Sequence, residues 1–147
     1  AVNALSIGVL GRWLGPMIGG GRLVAWFCVG GVAGSVASQL AGVRQSDGAS
    51  GAAYALLGAL LVLGWRRRAA LDAEERRLLG PVLLGLLGVN LAISAVLPFI
   101  DLVGHLGGLA AGLALGALAR EGSGTRVANV AIVLVFAAVC AWGWASR

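Results

Sequence analysis

Ser50 is the residue of this chain best placed to act as a nucleophile. It follows Gly48 and Ala49 and precedes Gly51 at the start of an apolar segment. The two glycines permit a tight turn and a close approach of substrate to the backbone. The N–H of Ser50 is one of the unbonded donors of a helix N-terminus and is therefore available to an oxyanion. Ser50 is thus a candidate nucleophile, and the alternative is that it only caps the helix.

His105 is the single histidine of the chain and lies within another apolar segment. An imidazole in a membrane helix usually faces the interior of the bundle or a water-filled cavity. In its neutral form it can accept a proton from a serine, as a general base does. The alternative is a purely structural hydrogen bond between helices.

A stripe of small residues accompanies His105. Glycine recurs at every fourth position of its segment: Gly104, Gly108, Gly112 and Gly116. Such a stripe lets a partner helix approach almost to backbone contact. If the helix that begins at Ser50 occupies this groove, Ser50 can meet His105 at hydrogen-bond distance. Tyr54, one turn after Ser50, could then pack on the imidazole, or it is an ordinary core tyrosine.

Further polar residues lie within or beside the apolar segments. Asn3 could donate to an oxyanion or bond a neighbouring helix, because an amide in hydrocarbon needs a partner. Asp101 could orient His105, but a carboxylate one turn earlier is more typical of a helix cap. Hydrogen bonds between helices are the expected role of the remaining polar residues, which are Ser35, Ser38, Gln39, Asn90 and Ser94.

The composition predicts a membrane protein. Of 147 residues, 59% are hydrophobic and 12% charged, and the mean hydropathy is +0.94. These values exclude a typical water-soluble domain and a disordered chain. Six apolar segments predict an all-α, polytopic transmembrane bundle that forms one domain over residues 1–147. The predicted spans are 1–14, 23–41, 50–65, 78–100, 102–119 and 127–145.

The positive charge predicts the orientation of this bundle. All 11 basic residues are arginines, against six acidic residues. One side of the predicted topology receives Arg12, Arg22, Arg66, Arg67, Arg68, Arg76, Arg77, Arg120 and Arg126. The other side receives only Arg44 and Arg147, so the first side is expected to be cytoplasmic. Asn3, Ser50 and His105 then all lie toward the non-cytoplasmic side, and nothing in the arginine pattern favours nucleic acid.

Taken together, these motifs resemble the rhomboid family of intramembrane serine proteases. Residues 48–51 followed by Tyr54 are similar to the family's G-x-S-G motif and the tyrosine after it. Residues 105–108 with Gly112 are similar to the family's H-x-x-G-x-x-x-G helix. Asn3 matches the asparagine of the family's H-x-x-x-N motif. The order and spacing of these motifs along the chain carry the resemblance.

The resemblance implies a Ser–His dyad, with Ser50 as nucleophile and His105 as general base. It also implies an oxyanion hole that includes the Ser50 amide and the Asn3 side chain. The expected substrates are membrane proteins, cleaved in or beside their transmembrane segments without cofactor or metal. The six predicted spans would match the family's second to seventh helices, so we expect a domain truncated at its N-terminus.

Two other functions were weighed against proteolysis. A catalytically inactive rhomboid-like protein would bind and guide membrane helices, but it would need neither Ser50 nor His105. A small transporter or channel would need a series of charged groups through the spans, and the sequence has none. Proteolysis is therefore the function that the sequence favours.

Overall fold

A computed structural model describes residues 2–43 and 49–119, and the regular elements of these residues are all helical. A single π-helical turn, Leu78–Val82, joins two of the α-helices. The α-helices are α1 Val2–Ile18, α2 Gly20–Leu40, α3 Ala49–Arg66, α4 Ala73–Arg77, α5 Leu83–Val96 and α6 Leu102–Leu118.

The first two helices are longer and closer in sequence than predicted. α1 continues through Pro16 to Ile18, and only Gly19 separates it from α2. Pro16 lies in the last turn of α1, so the helix ends soon after the residue that cannot donate to it. Gly19 has a φ of 81°, which a residue without Cβ adopts at little cost. The predicted end of the first span at residue 14 and the predicted start of the second span at residue 23 were therefore wrong.

The fourth predicted span also differs from the observed helices. The charged run at residues 71–77 before it has the composition of a solvated loop, but Ala73–Arg77 forms α4. Asp72 and Glu75 form a reciprocal capping box there, which satisfies free N–H groups at the helix start. The helical path continues through the π turn and ends at Val96 rather than at 100. Pro98 explains this end, because the residue before a proline is driven into an extended conformation.

Within residues 2–43 and 49–119, three helical segments are long and apolar enough to cross a membrane: Gly20–Leu40, Ala49–Arg66 and Ala73–Val96. α6 is a shorter apolar helix. The sixth predicted span, 127–145, lies outside the described residues. The part of the chain that the structure describes therefore supports a membrane-embedded helical bundle without showing all six predicted spans.

α3 is the central helix of the bundle, and it packs against α1, α2 and α6. Its contact with α6 runs along the glycine stripe. A Cβ at Gly108 would overlap the Gly51 carbonyl, and one at Gly112 would overlap the Ala55 carbonyl. The two helices therefore touch backbone to backbone and run in the same direction, as the spacing of the glycines predicted.

The opposite side of α3 packs on α1 through large side chains. A cluster of buried aliphatic residues fills this contact and includes Leu10, Leu14, Ile18, Leu56, Leu60 and Leu63. Arg67 Nη2 donates to the Met17 carbonyl at 3.3 Å, which sets Met17 beside Arg67 at one end of the bundle. The N-termini of α1, α3 and α6 thus lie together at the opposite end.

Candidate active site

His105 is buried at the start of α6. Its side chain is 7% exposed. Asp101 accepts a hydrogen bond from the Gly104 amide at 2.8 Å and is the N-cap of the helix. The expected capping role of Asp101 is confirmed, and the cap fixes His105 in the first turn of α6.

A second helix holds the carboxylate of this cap. The Ser38 hydroxyl on α2 donates to the Asp101 carboxylate. Ser38 is fully buried, so this contact ties α2 to the start of α6. The expected hydrogen bond between helices is confirmed for Ser38. For Asn90 the described residues do not confirm it, because Asn90 is exposed there and donates to the Leu86 carbonyl of its own helix at 2.8 Å.

Tyr54 stacks on the imidazole of His105. The ring centroids are 4.2 Å apart and the planes differ by 13°. This contact is possible because the glycine stripe brings α3 against α6, with Tyr54 one turn inside α3. Of the two alternatives for Tyr54, the structure therefore shows packing on His105.

Ser94 of α5 contacts the edge of the same ring. Its Oγ lies 3.0 Å from His105 Nδ1 and donates to the Asn90 carbonyl at 2.7 Å. The sequence placed Ser94 only among residues that bond other helices, without naming this partner. A partial signal was the reversal of the chain around Pro98, because Ser94 lies two residues before the end of α5 and His105 three residues after the start of α6.

Ser50 lies in the first turn of α3 and is half-buried. Its neighbour Gly51 packs on α6, where a Cβ would lie 3.2 Å from the Gly104 carbonyl oxygen. Ser50 precedes Gly51 and His105 follows Gly104, so the two residues are next to glycines that touch each other. Among the described residues, the hydrogen bond of the His105 ring goes to Ser94 rather than to Ser50. A Ser50–His105 hydrogen bond therefore stays a prediction.

Asn3 and Gly48 are not brought to His105 by the described contacts. Asn3 is exposed near the N-terminus of α1. Counting back from the contact between Met17 and Arg67, Asn3 lies at about the depth of the first turn of α3. Asn3 therefore lies at about the same depth in the bundle as Ser50, and no described contact joins it to the site. Gly48 lies outside the described residues.

Over residues 2–43 and 49–119, no group of three or more His, Cys, Asp or Glu side chains could hold a metal ion. Cys28, the cysteine within the described residues, has a free thiol. The polar cluster around His105 consists of hydroxyl, phenol and carboxylate groups. This set suits proton transfer and hydrogen bonding.

Similarity to known proteins identifies the family to which this chain belongs. The family model described as the Rhomboid domain matches residues 1–122. The rhomboid protease GluP of Bacillus subtilis (strain 168) is 30% identical over 141 residues. That match covers 93% of this chain and 27% of GluP, so the chain spans about a quarter of this curated relative. No solved structure matches the chain. With its apolar helices, the chain is an integral membrane protein and belongs to the rhomboid family.

Proposed function

We propose that the protein is an intramembrane serine protease in which Ser50 is the nucleophile and His105 the general base. The observation that carries the proposal is the stacking of Tyr54 on His105 at 4.2 Å. Tyr54 follows Ser50 by one helical turn, so both side chains lie on the same face of α3. The face of α3 that bears the serine is therefore the face that meets the imidazole.

The packing around the two residues supports the same pairing. Gly51 of α3 lies against Gly104 and Gly108 of α6. No Cβ separates the backbones at this level, so the residues beside these glycines stand on helices in direct contact. Ser50 is half-buried rather than enclosed, as access of a substrate to this residue requires.

The reaction begins with attack of Ser50 Oγ on the scissile carbonyl carbon, while His105 accepts the hydroxyl proton. The carbonyl π electrons move to oxygen and form a tetrahedral oxyanion. This intermediate collapses as the C–N bond breaks, and the imidazolium returns the proton to the leaving amine. Water then attacks the acyl-enzyme with His105 again as base, which releases the acid and restores Ser50.

The developing oxyanion needs preorganised donors. The Ser50 amide at the N-terminus of α3 is one, since the first N–H groups of a helix lack partners within the helix. We assign the Asn3 side chain as a second donor on the basis of the family motif and the depth of Asn3 in the bundle.

The substrates we propose are transmembrane segments of other membrane proteins. The site lies at the end of the bundle where α3 and α6 begin, opposite the end that carries Arg66 and Arg67. The arginine-rich end is the expected cytoplasmic side, so cleavage would occur near the non-cytoplasmic face. A substrate helix must unwind locally there before its carbonyl is accessible to Ser50.

Labelling of the full-length protein in membranes with a fluorophosphonate probe tests this function. The probe phosphonylates an activated serine with loss of fluoride. We expect labelling at Ser50 that is abolished by Ser50→Ala and by His105→Ala. Ser35→Ala is the matched control, because it removes a half-buried serine hydroxyl from α2 and spares Ser50, Ser94 and His105; it should leave labelling intact.

The inactive rhomboid-like protein is the opposing outcome of this experiment. A folded protein that resists the probe and still binds transmembrane helices would refute the protease assignment. Labelling at another serine would refute the assignment of Ser50.

A further inference from the structure

Ser94 is the only buried residue of α5. Its side chain is 5% exposed, while most of α5 faces outward. A serine in an apolar helix can satisfy its hydroxyl with the carbonyl four residues earlier and needs no other helix for this. Ser94 makes that bond to Asn90 and in addition contacts the His105 ring. The second contact is therefore a feature that helix formation alone does not require.

The single proton of the Ser94 hydroxyl decides the direction of both hydrogen bonds. Oγ lies 2.7 Å from the Asn90 carbonyl oxygen and 3.0 Å from His105 Nδ1. A carbonyl only accepts, so the shorter bond uses the hydroxyl proton. Ser94 Oγ can then only accept at the ring, and Nδ1 must carry the hydrogen of the longer bond.

A neutral imidazole carries one ring proton, so a protonated Nδ1 leaves Nε2 with a free lone pair. Nε2 is then the atom that can take a proton from a nucleophile. The stacked ring of Tyr54 restricts the imidazole from its face, and Ser94 restricts it from its edge. Together these contacts fix the plane and the rotation of the ring.

We infer that Ser94 is a positioning residue that holds His105 in the Nδ1–H tautomer and presents Nε2 as the base. The catalytic value of this arrangement rests on the proposed function, in which Ser50 supplies the proton. In soluble serine proteases a buried aspartate orients the histidine and also stabilises the imidazolium by charge. Ser94 is neutral, so it supplies the orientation without the charge.

Nitrogen-15 NMR of the histidine ring in the full-length protein tests the tautomer directly. The His105 resonances are assigned by their absence from His105→Gln. We expect the wild-type ring to be protonated at Nδ1 and unprotonated at Nε2 at a pH where it is neutral. Ser94→Ala should abolish this preference, and Ser94→Thr, which keeps the hydroxyl, should retain it. Ser35→Ala is the control and should leave the ring unchanged.

Two results would overturn the inference. One is a wild-type ring protonated at Nε2. The other is an Nδ1–H tautomer that persists unchanged in Ser94→Ala, because some other group would then hold it.

Kinetics with a transmembrane substrate separate positioning from a general structural role. Losing one neutral hydrogen bond that orients the base should lower kcat about tenfold. KM should stay the same, and Ser94→Thr should restore kcat. A change in KM alone, or an unchanged kcat in Ser94→Ala, would count against positioning.

The two proposals fail in different ways. If Ser50 is not labelled by fluorophosphonate but the tautomer depends on Ser94, the protease assignment fails and the control of the ring by Ser94 stands. If Ser50 is labelled and the tautomer is independent of Ser94, the reverse holds.

Discussion

α3 has two sides that pack in different ways. Toward α6 it offers Gly51 and Ala55, whose carbonyls lie against Gly108 and Gly112. Toward α1 it offers leucines, of which Leu56 is fully buried. The first contact joins two backbones, and the second joins two rows of flexible side chains.

The difference shows how the bundle fixes its candidate site. A backbone contact has no rotamers to adjust, so any shift between α3 and α6 must move whole helices. Leucines can change rotamer and repack around a small change. The candidate nucleophile and base lie on the two helices joined by backbone contact. Their relative position is therefore set by the less adjustable of the two interfaces.

Of the substitutions that test this comparison, Gly112→Val should reduce stability and labelling the most. The new side chain would overlap the Ala55 carbonyl, and overpacking costs about 1–3 kcal/mol or more even where side chains can yield. Here two backbones would have to separate. We expect loss of the cooperative thermal transition in detergent and loss of probe labelling at Ser50.

Gly88→Val is the matched control for this substitution. It introduces the same β-branched residue into a helix, but among the described residues no atom other than its chain neighbours and its own helix backbone lies within 4 Å of its Cβ position. Similar damage from both variants would mean that valine in a helix, rather than the α3–α6 contact, causes the loss.

Leu56→Ala should have a smaller effect, confined to stability. Removing a fully buried leucine leaves a cavity and costs about 2–5 kcal/mol in soluble proteins. We expect a lower unfolding midpoint by circular dichroism in detergent and retained labelling of Ser50 below that midpoint. Leu5→Ala, at a position 72% exposed, should leave the midpoint nearly unchanged. Loss of labelling in folded Leu56→Ala would show that the leucine interface also sets the site.

Arg66→Gln should have the smallest effect. Arg66 Nη1 donates to the carbonyls of Gly116 at 3.1 Å and Ala119 at 2.8 Å, which ties the end of α3 to the end of α6. Because Arg66 is exposed, its loss should cost roughly 1 kcal/mol of unfolding free energy. Denaturant titration of both Arg66→Gln and Arg12→Gln measures what these hydrogen bonds contribute, because Arg12→Gln removes the same charge from an exposed position. Equal losses in the two variants would assign the effect to charge alone.

Much of the fold could be predicted from the sequence. The apolar segments predicted helices, and the four-residue glycine spacing predicted close contact with a partner helix, for which α3 was one candidate. Packing of Tyr54 on His105 was one of two alternatives, and Asp101 was expected to cap α6. These features depend on the 3.6-residue period and on local capping, which a chain carries within a few turns of sequence.

The sequence could not predict which hydroxyl contacts His105. Ser94 and Ser50 were both available, and the choice depends on how α5 is rotated and where the turn at Pro98 directs it. For the same reason the sequence could not predict that Asn3 is exposed. Its place in a helix was clear, but its exposure depends on how α1 packs on α3.

By itself the sequence determined the helices, the stripe of glycines and the residue types that could transfer a proton. Only the tertiary structure decided that His105 Nδ1 contacts Ser94 and that Tyr54 covers the ring. The physical reason is the distance along the chain over which each interaction acts. Helix periodicity and capping act over neighbouring residues, whereas a hydrogen-bond partner is chosen by the rotation and register of separate helices, which the packing of the whole bundle sets.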